Sequence, residues 1–325
     1  MTKPSVFVTR QINAQALENL SKICTVDVWL DTNPPPHSVL VEKAHQVEGL
    51  LSLLTDPVDA RVISAPGLRV ISQMAVGTDN IDLLAATQRG LPVGHTPGVL
   101  TETCADFTMA LLLSIARRVV EAASEVHQGI WRAWGPEVLT GFELPGATLG
   151  LVGFGRIGQA VARRAAGFDM RIIYADRKRN FDIEDSTGAK FVTLEELLGQ
   201  SDFVSLHVYY SPENHHMMDY SRFNLMKPGA YLINTSRGPV VNPAALVWAL
   251  ENKIIAGAAL DVFEPEPIPA NHPLLSMPNV IITPHIASAG KSTRIQMAHI
   301  AVDNLLAGLS GERLAFCANP EVYNR

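Results

Sequence analysis

Thr148-Leu149-Gly150-Leu151-Val152-Gly153-Phe154-Gly155-Arg156-Ile157-Gly158-Gln159-Ala160 is the stretch from which the rest of the chain can be read. An apolar strand pattern closes at Gly153, and a helical apolar pattern (Ile157, Val161, Ala165) opens shortly after it. Between them Gly153, Gly155 and Gly158 fill a G-x-G-x-x-G. The first glycine permits a tight turn, the second a close approach of backbone to a pyrophosphate, and the third close packing of helix on strand. The N–H groups that open the helix would face the phosphate charge. A second strand-like run, Arg171-Ile172-Ile173-Tyr174-Ala175, ends at Asp176, 18 residues past Gly158. An acid at that place takes the ribose hydroxyls of NAD. Strand, turn, helix, strand and acid in this order predict a dinucleotide site.

Working outward, short apolar runs alternate with helical ones along the whole chain. Val6–Val8, Val26–Leu30, Leu50–Leu54 and Val70–Met74 read as strands, with Ala14–Ile23, Ser38–His45 and Val58–Ser64 as helices between them. Beyond the glycine stretch, Asp202–Val208, Ala230–Thr235, Ile255–Val262 and Val280–Thr283 read as strands. Leu194–Leu198, Ser221–Met226 and Pro243–Asn252 read as the helices that separate them. Alternation of this kind predicts α/β architecture, here two doubly wound parallel-sheet domains. Thr101–Val120 reads as one long helix leading from the first domain to the second, and Lys291–Leu309 as a last helix returning to the first. The loop Gly129-Ile130-Trp131-Arg132-Ala133-Trp134 places two tryptophans between Gly/Pro boundaries, for contact with a partner or with the chain itself.

Composition narrows the function. At 325 residues the chain is long enough for two cores, and 47% hydrophobic with 18% charged residues is ordinary for a globular protein. A net charge of −6 without a concentrated basic patch argues against nucleic acid as a partner. The longest apolar segment, Met109–Ala116, is too short to cross a bilayer, and the N-terminus enters a strand pattern (Ser5–Thr9) with no signal-peptide pattern. Cys24, Cys104 and Cys317 are odd in number and lack C-x-x-C, which suits free thiols in a cytoplasmic protein.

Three strand ends carry chemistry. Asn234-Thr235-Ser236-Arg237-Gly238 follows one, Asp261-Val262-Phe263-Glu264-Pro265-Glu266-Pro267 the next, and Thr283-Pro284-His285-Ile286-Ala287-Ser288 the last. Arg grips a carboxylate with two prongs, His passes a proton near neutrality, and a Glu on the second ring nitrogen favours the imidazolium. Singly, Arg237 reads equally as a surface charge, Glu266 as a solvated loop residue and His285 as a core histidine; together, after a dinucleotide fingerprint, they suit hydride transfer to a keto acid. Gly77, in Ala75-Val76-Gly77-Thr78-Asp79, ends another strand and reads either as an anion-binding turn or as a plain one. His215 and His216 form a pair without a third ligand near in sequence, so no metal is expected.

With these residues in view, the chain resembles the D-2-hydroxyacid dehydrogenase family, and within it the glyoxylate/hydroxypyruvate reductases. The likeness runs from Leu53-Leu54-Thr55-Asp56 through VGTDNID, GFGRIGQAVARR, TSRG, LDVFEPEP, NHPL and TPHIAS to Asn319-Pro320-Glu321-Val322. It implies a Rossmann dinucleotide-binding domain, residues 101–287, inserted into a flavodoxin-like substrate domain of residues 1–100 and 288–325. It implies Arg237, Glu266 and His285 as the catalytic set. Substrate contacts would come from Leu53, Val76, Gly77, Arg237, His285 and Ser288, and from Trp134 reaching across a homodimer. Besides Gly153, Gly155, Gly158 and Asp176, it implies cofactor contacts at Arg156, Ile157, Val208, Thr235 and Asp261. The expected substrate is a small 2-keto or 2-hydroxy acid, glyoxylate or hydroxypyruvate. The alternatives are 2-ketogluconate, phosphoglycerate or phosphite as substrate, or an NAD-sensing corepressor on the same fold. The expected cofactor is NAD, with NADP as the alternative because Arg177-Lys178-Arg179 follow Asp176 directly. One departure stands out: His207-Val208-Tyr209-Tyr210 occupies the place where such proteins often have His-x-Pro-Leu.

Overall fold

A computed structural model describes residues 3–324, which form two compact units: residues up to Leu100 together with those from Ala289 onward, and Thr101–Ser288. In the first unit the elements run β1 (Ser5–Val8), α1 (Ala14–Ile23), β2 (Thr25–Val28), α2 (His37–Ala44), β3 (Gly49–Ser52), α3 (Ala60–Ile63), β4 (Val70–Gln73), α4 (Leu83–Arg89) and β5 (Val93–Gly94). The sheet is parallel throughout, in the order β2-β1-β3-β4-β5, a flavodoxin-like doubly wound arrangement. Local chemistry starts its helices: Asn13, Asp59 and Asp82 each accept N–H bonds from the first turns of α1, α3 and α4.

The second unit contains α5 (Thr101–Ala116), α6 (Val119–His127), β6 (Thr148–Val152), α7 (Arg156–Ala166), β7 (Arg171–Ala175), α8 (Phe181–Thr187), β8 (Lys190–Phe191), α9 (Leu194–Gln200), β9 (Phe203–Leu206), α10 (Tyr220–Phe223), β10 (Tyr231–Asn234), α11 (Pro243–Glu251), β11 (Gly257–Leu260) and β12 (Val280–Ile282). Its parallel sheet has the order β12-β11-β10-β9-β6-β7-β8, which reverses direction beside β6, so the glycine turn lies at the topological switch point. One face of the sheet packs with α5 and α7 around Leu112, Leu149, Tyr174 and Phe203. The other packs around Leu197, Val204, Leu232 and Leu246. The final helix α12 (Lys291–Ser310) belongs to the first unit, where it packs on β3, β4 and α1. Among the described residues no helix is long and apolar enough to cross a membrane.

The expected helix Thr101–Val120 is in fact two. α5 stops at Ala116, Arg118 takes a left-handed backbone (φ 52°), and α6 carries on to His127. Phe142 N–H takes the Ala116 carbonyl at 2.7 Å, and a Cβ on Gly141 would lie 2.3 Å from that oxygen. A segment distant in sequence therefore ends α5. The expected strands also run too long. Leu50–Leu54 ends at Ser52 because Leu53 N–H turns to the Asp56 carboxylate at 2.7 Å. The helix expected from Val58 starts at Ala60, since Val58 bridges to Ile81 instead.

Candidate functional site

The three glycines of the fingerprint stand where they do for three different physical reasons. Gly153 has φ +91°, and a Cβ on it would meet the His207 carbonyl oxygen at 2.7 Å. Gly158 allows α7 to press on the turn, for its Cβ would lie 2.4 Å from the Gly153 carbonyl oxygen. Gly155 has ordinary backbone angles and nothing within 4 Å of its would-be Cβ. Space is kept open there, at the N-cap of a helix that carries no side-chain cap, with Arg156 and Ile157 as its first residues. The first N–H groups of a helix have no partner within it, and beside open space they suit a pyrophosphate, so the residues present fit a bound dinucleotide.

Asp176 closes β7 beside this turn. Its Oδ2 accepts Phe154 N–H at 2.6 Å and its Oδ1 accepts Arg177 N–H at 2.6 Å, which fixes the carboxylate against the glycine loop. The neighbouring cations point elsewhere: Arg177 pairs with Glu213 at 2.7 Å, and Arg179 with Glu184 at 2.8 Å. Val208 lies against the same turn, its Cγ1 3.0 Å from a Cβ built on Gly153. In place of a stiff Pro-Leu turn, Tyr209 projects into solvent, while Tyr210 packs on the core and meets His215 Nδ1 at 3.3 Å. His207 bonds Ser205 Oγ at 2.9 Å, and its burial pushes the imidazole down to about 4. Thr235 Oγ1 meets Thr108 Oγ1 at 2.9 Å, a partner on α5 that no sequence motif marked.

β10, β11 and β12 are neighbours, so their C-terminal ends bring Arg237, Glu266 and His285 into one region. His285 Nδ1 meets Glu266 Oε2 at 2.8 Å, while Glu266 Oε1 accepts Phe263 N–H at 2.9 Å. A carboxylate on Nδ1 leaves Nε2 as the ring's working nitrogen. The arrangement rests on Asp261, nearly fully buried, whose carboxylate accepts from Thr283 Oγ1 (2.6 Å), Ile286 N (2.9 Å) and Ala287 N (2.7 Å). These bonds, with His285 N–H on the Asp261 carbonyl at 2.9 Å, hold His285 in a left-handed conformation (φ 54°). Arg237 Nη1 donates to the Ser236 carbonyl at 2.8 Å. Its segment touches the next loop through Gly238, where a Cβ would fall 1.6 Å from the Phe263 carbonyl oxygen. Ser288 is half-buried just beyond.

In the first unit, the Val76 carbonyl meets His95 Nδ1 at 3.0 Å and the Gly77 carbonyl accepts Gln73 Nε2 at 2.9 Å. Because a trans peptide sets N–H opposite C=O, these bonds orient the Gly77 amide away from His95. Leu53 is held by Asp56, a buried carboxyl that also takes Thr9 Oγ1 at 2.5 Å; burial raises its pKa despite those bonds and nearby Arg10. Trp134 is 83% exposed and Trp131 58%, in the loop after α6. The histidine pair does gain a third donor from a distant segment: His215, His216 and Glu264 place one ligand atom each within 4.8 Å. The two rings stack at 3.8 Å, and His216 Nε2 meets Glu264 Oε2 at 2.6 Å.

Comparison with known proteins then supplies relatives. The model of the D-isomer specific 2-hydroxyacid dehydrogenase NAD binding domain matches residues 109–287. A glyoxylate reductase of Korarchaeum cryptofilum is 51% identical over 322 residues, covering 98% of this chain and 97% of that protein. A crystal structure of a Thermus thermophilus protein is similar with TM-score 0.91 and 47% identity, covering 97% and 99% of the two chains. An NADPH-dependent glyoxylate/hydroxypyruvate reductase from Sinorhizobium meliloti, solved with NADP and malonate, is similar with TM-score 0.88 and 33% identity over 100% and 99%.

Proposed function

The chain belongs to the D-isomer specific 2-hydroxyacid dehydrogenase family, and from that membership we propose that it reduces a small 2-keto acid, glyoxylate or hydroxypyruvate, to the D-2-hydroxy acid. The observation that carries the proposal is the 2.8 Å Glu266–His285 pair on the strand end beside that of Arg237, in the unit that holds the glycine fingerprint. A bound nicotinamide cofactor supplies the hydride. Arg237 holds the substrate carboxylate and polarises the keto oxygen, as a planar guanidinium does. His285 delivers a proton from Nε2 to that oxygen as it gains charge, and Glu266 on Nδ1 favours the protonated ring. By the same family resemblance Leu53, Val76, Gly77 and Ser288 would contact the substrate. Arg156, Ile157, Asp176, Val208, Thr235 and the Asp261 segment hold the cofactor. The unit Thr101–Ser288 would thus serve as the dinucleotide domain and the other as the substrate domain.

We also propose a homodimer. Val119, Val120, Val126, Ile130, Trp131, Trp134 and Val138 are all at least half exposed, along α6 and the loop after it. Apolar surface of that extent marks an association site. In such a dimer Trp134 would reach the partner's pocket and restrict it to small acids. Trp134→Ala should then raise KM for glyoxylate, and a fully active monomer in sedimentation would end this part of the reading.

Steady-state oxidation of NADH and NADPH with glyoxylate and hydroxypyruvate tests the reaction. His285→Ala should lower kcat by roughly 10²–10⁴-fold, and Glu266→Gln should move the alkaline fall of kcat/KM to lower pH. A wild-type rate in His285→Ala would remove the assigned role.

A further inference from the structure

Six described non-glycine residues have positive φ, and two of them, His216 (51°) and His285 (54°), reach glutamates of the same turn, Glu264-Pro265-Glu266. Such a backbone costs about 1–3 kcal/mol and persists only where its surroundings over-determine it. For His285 the surroundings are Asp261 and Glu266. For His216 they are a second set of bonds that the reaction does not use. Its N–H donates to the Pro239 carbonyl at 2.7 Å, its Nε2 meets Glu264 Oε2 at 2.6 Å, and its ring stacks on His215.

The proton on this ring can be placed. Asn242 Oδ1 caps α11 by accepting Ala245 N–H at 3.0 Å, so the amide nitrogen of Asn242 is the atom that faces His216 Nδ1, at 3.4 Å. An amide nitrogen only donates, which makes Nδ1 the acceptor and leaves the hydrogen on Nε2, directed at Glu264. A neutral histidine suffices for both bonds.

What this ring joins is the point. Pro239 is two residues past Arg237, and Glu264 is two before Glu266. Gly238 is already in backbone contact with Phe263, so the Arg237 and Glu266 segments touch there and are spanned again through His216. We propose that His216 is a positioning residue: through Glu264 and Pro239 it sets the spacing between the Arg237 and Glu266 segments, and so aims the Glu266–His285 pair, without touching substrate. This rests on the roles given above to Arg237, Glu266 and His285. Asp261, Arg237 and Glu264 are charged groups on the elements around the Glu266–His285 pair.

The test compares His216→Leu, His216→Gln, Glu266→Gln and the double variant His216→Leu/Glu266→Gln. His216→Leu removes both side-chain bonds at similar volume, whereas glutamine keeps an N–H near the Nε2 position. A misplacement of order 1 Å costs up to ~10²-fold in rate, so His216→Leu should lower kcat by roughly 10–100-fold. It should also move the alkaline fall of kcat/KM the way Glu266→Gln does, and leave the NADH dissociation constant unchanged. His216→Gln should recover most of the loss. The double variant should be no worse than Glu266→Gln alone, because two changes acting through one group are not additive. Glu264→Gln carries the same expectation at smaller amplitude and replaces the leucine variant if that does not fold. A lowered kcat with the alkaline limb in place, or losses that multiply in the double variant, would overturn the proposal. A profile unmoved by Glu266→Gln itself would instead overturn the role given to Glu266.

Discussion

Gly155→Ala separates what the fold needs from what the cofactor needs. At Gly155 the backbone angles are φ −71° and ψ −165°, open to any residue, and no atom lies within 4 Å of the new methyl. Replacing glycine by alanine at such a position removes freedom from the unfolded chain and stabilises by about 0.4–1 kcal/mol. In a domain of this size that raises Tm by ~1–4 °C. The same methyl stands in the open space at the N-terminus of α7 that the proposed cofactor pyrophosphate would enter. Each hydrogen bond to a charged group is worth ~1.5–3 kcal/mol, so losing one weakens cofactor binding by roughly 10–100-fold. Thermal unfolding without ligand and calorimetric titration with NADH measure the two effects on one preparation. The expected outcome is Tm unchanged or higher, with affinity reduced. A fall in Tm would show that Gly155 serves packing, and an unchanged affinity would show that the pyrophosphate lies elsewhere.

Gly238→Ala should behave in the opposite way, because its methyl would overlap the Phe263 carbonyl; a loss of ~1–3 kcal/mol or more and a collapse of kcat are expected, and a wild-type Tm would refute the close approach. NADH should be used with higher kcat/KM than NADPH, since Asp176 faces the glycine loop while Arg177 and Arg179 are held by Glu213 and Glu184; a tenfold preference for NADPH, about 1.4 kcal/mol, would show that the basic cluster wins. His207 gives an acid limit to stability. Its folded value of about 4 lies below the ordinary 6.5, so the fold favours the neutral ring. That contribution is complete above the unfolded value and is lost as pH falls from 6.5 through 4. The residue keeps some exposed surface, so a loss of ~1–2 kcal/mol is expected, smaller than full burial would give. Urea unfolding should lose that much more between neutral and acid pH in the wild type than in His207→Gln, and equal losses would refute it.

Most of the frame was legible because apolar runs and capping residues act locally. α1 and β7 lie at the expected residues, and Asp176 follows β7 as the fingerprint requires. The break at Arg118 was not legible: Arg117 and Arg118 are good helix formers, and the interruption comes from Gly141 and Phe142 docking on Ala116. The short strands β5 and β8 were likewise hidden, since two residues carry no periodicity. At the site, residue type was enough to nominate Arg237, Glu266 and His285, but nothing local marked what supports them. Asp261 reads as a strand-end acid until Thr283, Ile286 and Ala287 are seen around it. Glu264 stands 48 residues from His216, too far for a pattern to pair them.

The place of α12 bears on how the chain matures during synthesis. It sits tight on the first sheet: a Cβ on Gly308 of the helix would lie 2.4 Å from Val70 Cγ2, and one on Gly94 of β5 2.8 Å from Asn304 Cβ. Ser72 Oγ donates to the Ala301 carbonyl at 2.7 Å, and Asn319 accepts Val93 N–H at 2.9 Å. The strands β3, β4 and β5 therefore leave the ribosome long before the helix that covers them, while Thr101–Ser288 emerges as one continuous stretch. At ~5–20 residues per second the wait lasts roughly 10–40 s. During it Val70 and its neighbours are open to water and to other nascent chains, so the unit translated first is the one completed last.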